Sequence, residues 1–582
     1  MIAIDVRRWP EVWTALGACV GAAAAAAVAP VTRGWFHVPT GGVGIATVTG
    51  YPKAYDYAVV ALLIVGAAAG AFVGARWSGG LQPAGGLKAG GLKATAPRSS
   101  SWIAAFVVFV LMLFVHDHPY TVLEPFHEGE HLTPGFLFRS GARPYGDVFV
   151  LHGLGVDGGI DALVLGDPPS PRRVRRLQTV LDAATLALLV PIAAELSTTA
   201  VGAAAAVFVG LCMIAAGQIP LFPWFRLAPL LLAALGMLRY VRSRRLSSLA
   251  LAFAASTLGV LWSLDTGLYA LAATVIVCLL LRARVALPVA VVALLLPFAL
   301  LLIVHADIHR FLADSFLIIP RSIDAIWSRP ALREISWESA RYYLPPIFFG
   351  WMLVVAWRRG DWRIAIVAIF SIIAFRTAAG RCSWSHTRYG LPLFGVAAVA
   401  FALEPLWLAR RRVAAAILAI ALFMFVEVAP NFAAASRFIV GWRARQSHAG
   451  LVSYPLATGR GIYTTRENAA DLAGLNGFLD AAAPPGAPIL DVTNERALYY
   501  LLQRRPPTRC ADVAMLSAPP LLAEAMGQLE ANPPACVIVE GMKELDQYDG
   551  VPNRIRVPAL FAWIDARYPR RVRVGRYLVA TR

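Results

Sequence analysis

The chain has 582 residues, of which 58% are apolar and only 15% charged, with a formal net charge of +18. Soluble domains carry roughly a quarter of their residues as charges, so this composition excludes a water-soluble enzyme and a disordered chain. The positive charge does not mark a nucleic-acid binder. Much of the Lys and Arg falls in short clusters at the ends of apolar runs, where it sets membrane topology.

Apolar runs of near-spanning length predict a polytopic α-helical membrane protein with about 13 transmembrane helices. The first run, 13–30, follows Arg7 and Arg8. It is long for a signal-peptide core and a second span follows soon after, so it is read as an uncleaved helix. With the second run, 57–75, it forms an N-terminal transmembrane hairpin, residues 1–76. A Gly-rich cytoplasmic linker, 77–101, repeats Gly-Gly-Leu-Lys-Ala and reads as flexible chain. A transmembrane core, 102–430, has spans expected at 102–115, 177–195, 199–216, 225–240, 247–263, 267–281, 286–304, 344–357, 364–379, 389–408 and 413–429.

Threading these spans puts Arg239, Arg242, Arg244 and Arg245, then Arg282 and Arg284, then Arg358, Arg359 and Arg363, then Arg410, Arg411 and Arg412 on the inside. The long loops, 116–176, 305–343 and 380–388, fall outside. The expected location is the cytoplasmic (inner) membrane, with the N-terminus cytoplasmic. One cluster dissents: for Arg172, Arg173, Arg175 and Arg176, either one helix is miscounted or they fall outside, where they contact lipid headgroups or bind phosphate. Beyond residue 430 hydropathy falls. Segments 467–482, 521–530 and 560–566 read as helices, and 487–494, 535–540 and 572–580 as strands. Together they predict an extracytoplasmic α/β domain, 431–582. In an oxidising compartment Cys510 and Cys536 are candidates for a disulfide, and no C-x-x-C spacing suggests a metal.

Ionisable side chains near membrane depth are costly and usually functional or paired. Here polar outliers gather on one side: Asp117, Glu124, Glu128, Glu130, Asp147, Asp157 and Asp161 in the first outer loop, then Asp265, Arg376, Arg381, Ser383, Ser385 and His386. The sharpest stretch is Phe126-His127-Glu128-Gly129-Glu130-His131-Leu132. A partly desolvated carboxylate can act as a general base, and its neighbour can orient it or share a divalent cation such as Mg or Mn. The bland alternative is a helix cap, or a pair with Arg139 or Arg143. His127-Glu128-x-x-His131 also matches the zincin pattern, so a membrane zinc metallopeptidase is a rival reading. Against it, Gly129 weakens a helix, Pro125 and Pro134 confine one to a turn or two, and no third ligand stands out. A non-enzymatic lipid or glycan transporter is a second rival, but internal repeats and polar residues through both membrane halves are not evident.

The acidic stretch after a membrane helix, followed by Gly141-Ala-Arg-Pro-Tyr-Gly-Asp147, resembles the first outer loop of GT-C superfamily glycosyltransferases. It is most similar to the bacterial branch that uses polyprenyl-phosphate sugars. Leu264-Asp-Thr-Gly-Leu-Tyr269, Gly380-Arg-Cys-Ser-Trp-Ser-His386 and Asp491-Val-Thr-Asn494 are similar to later elements of such proteins, so the resemblance spans about residues 102–582. It implies sugar transfer from a polyprenyl-phosphate donor to a cell-envelope glycan, lipid or protein acceptor, with inversion and with no certain cofactor. The implied base is Glu128 or Glu130, Glu128 preferred, with Tyr145 and Asp147 beside it. Arg381, with Arg172 and Arg173, would neutralise the phosphate. His386 would contact phosphate or sugar, and Asp265 the sugar. The hairpin is extra to the family pattern, and the Glu-x-Glu pair replaces an Asp-containing one, which leaves the base and a cation at Glu128 and Glu130 open.

Overall fold

The computed structural model describes residues 10–77, 98–115, 123–197, 223–331, 337–382 and 450–582, with positions 204, 206, 209, 386, 392–393 and 395–397 between them. The spans expected at 199–216, 389–408 and 413–429, most of the Gly-rich linker, and Asp117, Ser383 and Ser385 lie outside the described residues. Among the described residues six helices are long and apolar enough to cross a membrane: Trp13–Trp35, Ala54–Trp77, Pro171–Leu196, Trp224–Ser243, Ala286–Ile303 and Trp362–Gly380. At 1.5 Å per residue the shortest spans about 27 Å, close to the hydrocarbon thickness of a bilayer. Arg98–Val115, Leu246–Trp262, Leu264–Leu280 and Trp337–Arg359 are further apolar helices of the bundle.

The bundle is apolar on its outer face as well as in its interior. Leu287, Val292, Leu295, Leu302 and Ile303 on one helix are each more than 60% exposed, an apolar face that only lipid or another protein would cover. The interior is built from Val190, Leu231, Leu235, Phe253, Val277, Ile366 and Phe370. At the N-terminal hairpin, helices Pro10–Thr32 and Ala54–Trp77 touch backbone to backbone: a Cβ placed on Gly17 would lie 2.1 Å from the Gly70 carbonyl. Small residues permit that approach, which in lipid supplies most of the packing energy between helices.

The C-terminal region carries a four-stranded sheet in the order β3 (Ile489–Asp491), β4 (Cys536–Glu540), β6 (Tyr577–Thr581), β5 (Arg570–Val574), following a short β1–β2 pair (Val452–Ser453, Tyr463–Thr464). β3 runs parallel to β4, and the hairpin β5–β6 is antiparallel to it. Helices Arg466–Ala482, Pro519–Ala531 and Pro558–Arg567 pack on this sheet. Tyr145, Phe149, Leu151, Leu264, Phe311 and Ile326 share one apolar core with Leu490, Val513, Met515, Leu516 and Trp563. The sheet region is therefore fused to the membrane bundle's loops.

Cys510 and Cys536 are both buried and both free, and they lie in different apolar clusters. The candidate disulfide is not formed in this arrangement. Alkylation of denatured, unreduced protein should modify both thiols. A Cys510–Cys536 cross-linked peptide in the digest would contradict the arrangement.

Candidate active site

The acidic stretch folds as a helix, His127–Arg139, that runs through Pro134 rather than stopping before it. Eight of its residues are buried, so packing outweighs the roughly 3 kcal/mol that a mid-helix proline costs. Two positions along a helix are about 200° apart, so Glu128 and Glu130 face opposite ways. Glu128 turns inward, fully buried, where Arg175 donates Nε to Oε1 at 2.6 Å and Nη2 to Oε2 at 2.7 Å. The Glu124 amide adds a bond of 2.7 Å to Oε2. Arg175 comes from the arginine cluster that broke the topology rule. Arg172 packs over Gly461, and Arg173 stands exposed beside Gly166; neither lines the cavity described next.

Glu130 turns toward a cavity of ≈ 310 Å³ whose wall includes His127, His152, Arg226, Asp265, Asp324, Arg376, Arg381, His386 and Tyr548. The cavity sits at the end of the bundle away from the arginine-rich helix ends. Arg226 precedes Ala228–Ser243, which carries Arg242 in its last turn; Asp265 opens Leu264–Leu280, ahead of Arg282 and Arg284; Arg376 follows Trp362–Ala374. These separate loops therefore meet because each is the same-side end of a neighbouring helix.

Each cavity arginine has its own carboxylate. Arg226 Nη2 reaches both oxygens of Asp265 at 3.2 Å. Arg376 Nη2 donates to Asp324 Oδ1 at 3.0 Å. Arg381 donates Nη2 to Asp549 Oδ1 at 2.8 Å and Nη1 to the Trp327 carbonyl at 2.7 Å. Arg496 Nη1 donates to Glu130 Oε1 at 2.8 Å and its other terminus pairs with Asp512 at 2.6 Å. Burial opposes ionisation of Glu130, but Arg496, His152 and His127 outweigh it and hold the carboxyl at about 2. Burial likewise favours a neutral His152, yet Asp157 at 3.0 Å and Glu130 raise its pKa above the usual imidazole value. His386, buried and near Arg381, is pushed well below it.

The C-terminal region roofs the cavity. Tyr548 stacks on Phe126 at 4.7 Å, Arg329 and Arg381 both pair with Asp549, and the Arg496 guanidinium lies 4.3 Å over the Phe126 ring. A Cβ on Gly129 would fall 2.2 Å from the Ala497 amide nitrogen. That glycine is what lets the Arg496 turn approach the acidic helix.

Tyr145 and Asp147 do not join Glu130. Tyr145 is buried against Phe311 at φ 64°, and its carbonyl accepts from Arg509. Asp147 closes an exposed turn with Arg143 at 2.8 Å. A cation shared by Glu128 and Glu130 does not fit, since each carboxylate is held by a different arginine on a different helix face. The zincin pair diverges too. His131 is buried between Asp161 and Gln178, while His127 faces the cavity beside Glu124. Among the described residues no three His, Cys, Asp or Glu side chains converge as a metal site. Sequence reading missed Arg226, His152 as a cavity residue, Asp324, Tyr548 and Asp549. Arg226 carried a signal, an arginine heading an apolar run on the side where arginines are scarce. Asp549 carried none.

No protein-family model and no curated protein matches the chain. Among solved structures it is similar to the crystal structure of ArnT from Cupriavidus metallidurans in the apo state. The two share 15% identity with a TM-score of 0.42, over 83% of this chain and 98% of that one.

Removing one partner of a fully buried ion pair strands the other and costs about 3–5 kcal/mol. Glu128→Gln should therefore melt well below the parent in detergent, while Glu130→Gln, whose side chain borders the cavity, melts close to it. Equal melting of both variants would contradict this division.

Proposed function

We propose that the protein is a membrane glycosyltransferase of the GT-C type. It moves a sugar from a polyprenyl-phosphate donor to a glycan, lipid or protein acceptor on the outer face of the membrane. The observation that carries this reading is the cavity that Glu130 lines together with Arg226, Arg376 and Arg381 at the ends of apolar helices. An anionic headgroup attached to a chain that stays in lipid is the ligand such a place suits. The residue motifs of the first outer loop support the same family.

In this reading the arginines stabilise negative charge as it develops on the departing phosphate. The bond between the anomeric carbon and the phosphate oxygen breaks, its electron pair leaving with polyprenyl phosphate. The acceptor oxygen bonds to the opposite face of that carbon, so configuration inverts, and its proton passes to Glu130. The proposed base is Glu130 rather than Glu128, because Arg175 holds Glu128 away from the cavity. A carboxylate held near 2 is a weak base, which suits a step whose hydroxyl becomes acidic only as it bonds to an oxocarbenium-like carbon. Asp265 and His386 remain proposed contacts to donor sugar and phosphate.

Membranes supplied with labelled polyprenyl-phosphate sugars test the reading. Glu130→Gln should lower transfer by about 100-fold or more with unchanged melting. Parental rates in that variant would remove Glu130 as base, and a parent silent with every such donor would remove the function. The pH profile gives a separate check. Asp157 and Glu130 raise the His152 pKa, so its positive charge persists to higher pH than an ordinary imidazole's and is lost as pH climbs through that raised value. Donor kcat/KM should fall on the alkaline side, and His152→Gln should abolish that limb. Glu130 should contribute no acid limb in the physiological range.

A further inference from the structure

We propose that Tyr57, on the N-terminal hairpin, is a positioning residue for the donor-binding wall of the cavity, so that the hairpin is a working part of the site. This rests on the reading of the cavity as a donor site. The second hairpin helix, Ala54–Trp77, brings Tyr57 behind two cavity residues at once. Its hydroxyl donates to Asp324 Oδ1 at 2.7 Å, the same oxygen that Arg376 binds at 3.0 Å, and the Arg376 guanidinium lies 4.2 Å over the Tyr57 ring. Asp324 and Arg376 both line the cavity, while Tyr57 does not.

Lys53, just before this helix, and Asp56, in its first turn, hold the same wall. Lys53 and Asp56 form a fully buried pair at 2.5 Å. Lys53 Nζ also donates to the Arg329 carbonyl at 2.6 Å, and Asp56 Oδ2 accepts the Ala331 amide at 3.1 Å. Arg329 in turn holds Asp549 in the roof. The segment from Asp324 to Ala331 is thus suspended between the cavity and the hairpin.

The physical consequence concerns Arg376. A guanidinium shared between a ring face and a carboxylate has its plane and position set before a ligand arrives, which lowers the ordering cost of binding. The Tyr57 hydroxyl draws on Asp324 Oδ1, weakening that oxygen's hold on Arg376, so a phosphate displaces the carboxylate more easily while the ring keeps the guanidinium plane in place. Loss of the hydroxyl tightens the internal pair at the expense of the donor. Loss of the ring removes the orientation as well.

Donor KM and kcat measured for Tyr57→Phe and Tyr57→Leu, with Val65→Ala on the exposed face of the same helix as control, test this. Tyr57→Phe should raise donor KM about three- to tenfold with kcat, acceptor KM and melting unchanged. Tyr57→Leu should raise it further, and Val65→Ala should match the parent. If the parent transfers sugar and both Tyr57 variants keep its donor KM, or lose kcat and melting together, the positioning role is overturned while the function stands. If the parent transfers nothing, the function reading falls and this inference falls with it.

Discussion

The buried pair between Glu128 and Arg175 is the contact on which the site's geometry depends. It fixes the rotation of the His127–Arg139 helix about its axis, and that rotation decides which carboxylate meets the cavity. An ion pair without exposure is not a strong source of stability, since desolvation offsets much of the attraction. Its value here is orientation. With both carboxylate oxygens held by one planar guanidinium, the helix has one setting, and Glu130, about 200° round the axis, has one direction in which to point.

From that setting the second arginine contact follows. Arg496 reaches Glu130 from the C-terminal region because Gly129 leaves room for the Ala497 backbone, and the Ala497 amide bonds the Pro125 carbonyl at 2.9 Å. Thr133 Oγ1 donates to the Arg496 carbonyl at 2.7 Å. The roof is therefore registered on the acidic helix by backbone contacts. The Asp549 pairs and the Tyr548–Phe126 stack close it on the far side of the cavity.

The bundle was legible in the sequence because lipid imposes apolar runs of fixed length, and the tail because its strands and helices have ordinary periodicity. The gathering of polar residues on one side was legible from the arginine clusters at the opposite helix ends. Roles within that gathering were not. Glu128 and Glu130 read as a pair because they are close in sequence, yet helical periodicity separates them. Tyr145 and Asp147 have a turn to close, and the turn consumes them. Arg175 looked like a topology violation because its partner lies 47 residues away. The partners of Glu130 and Arg381 lie 366 and 168 residues away, a separation no local pattern encodes.

A cavity whose arginines are already paired has an electrostatic logic. Unpaired guanidinium groups beside a low-dielectric bundle would repel one another, and each couple removes that cost while keeping the donors in place. An anionic ligand must then exchange with a carboxylate, and the couples differ in how readily they yield. Arg381 is held by Asp549, by the Trp327 carbonyl and between the Trp327 and Tyr548 rings, so freeing it disturbs the roof. Arg226 and Asp265 meet at the longer 3.2 Å, and Asp265 keeps bonds of 2.8 Å from Ser263 Oγ and from the Thr266 amide whether or not the arginine stays. Opening that couple strands no carboxylate. On the proposed reading of the cavity as a donor site, the least costly first contact for a phosphate is Arg226, whose partner keeps its other hydrogen bonds, while freeing Arg381 also breaks its contacts to the Trp327 carbonyl and the two rings.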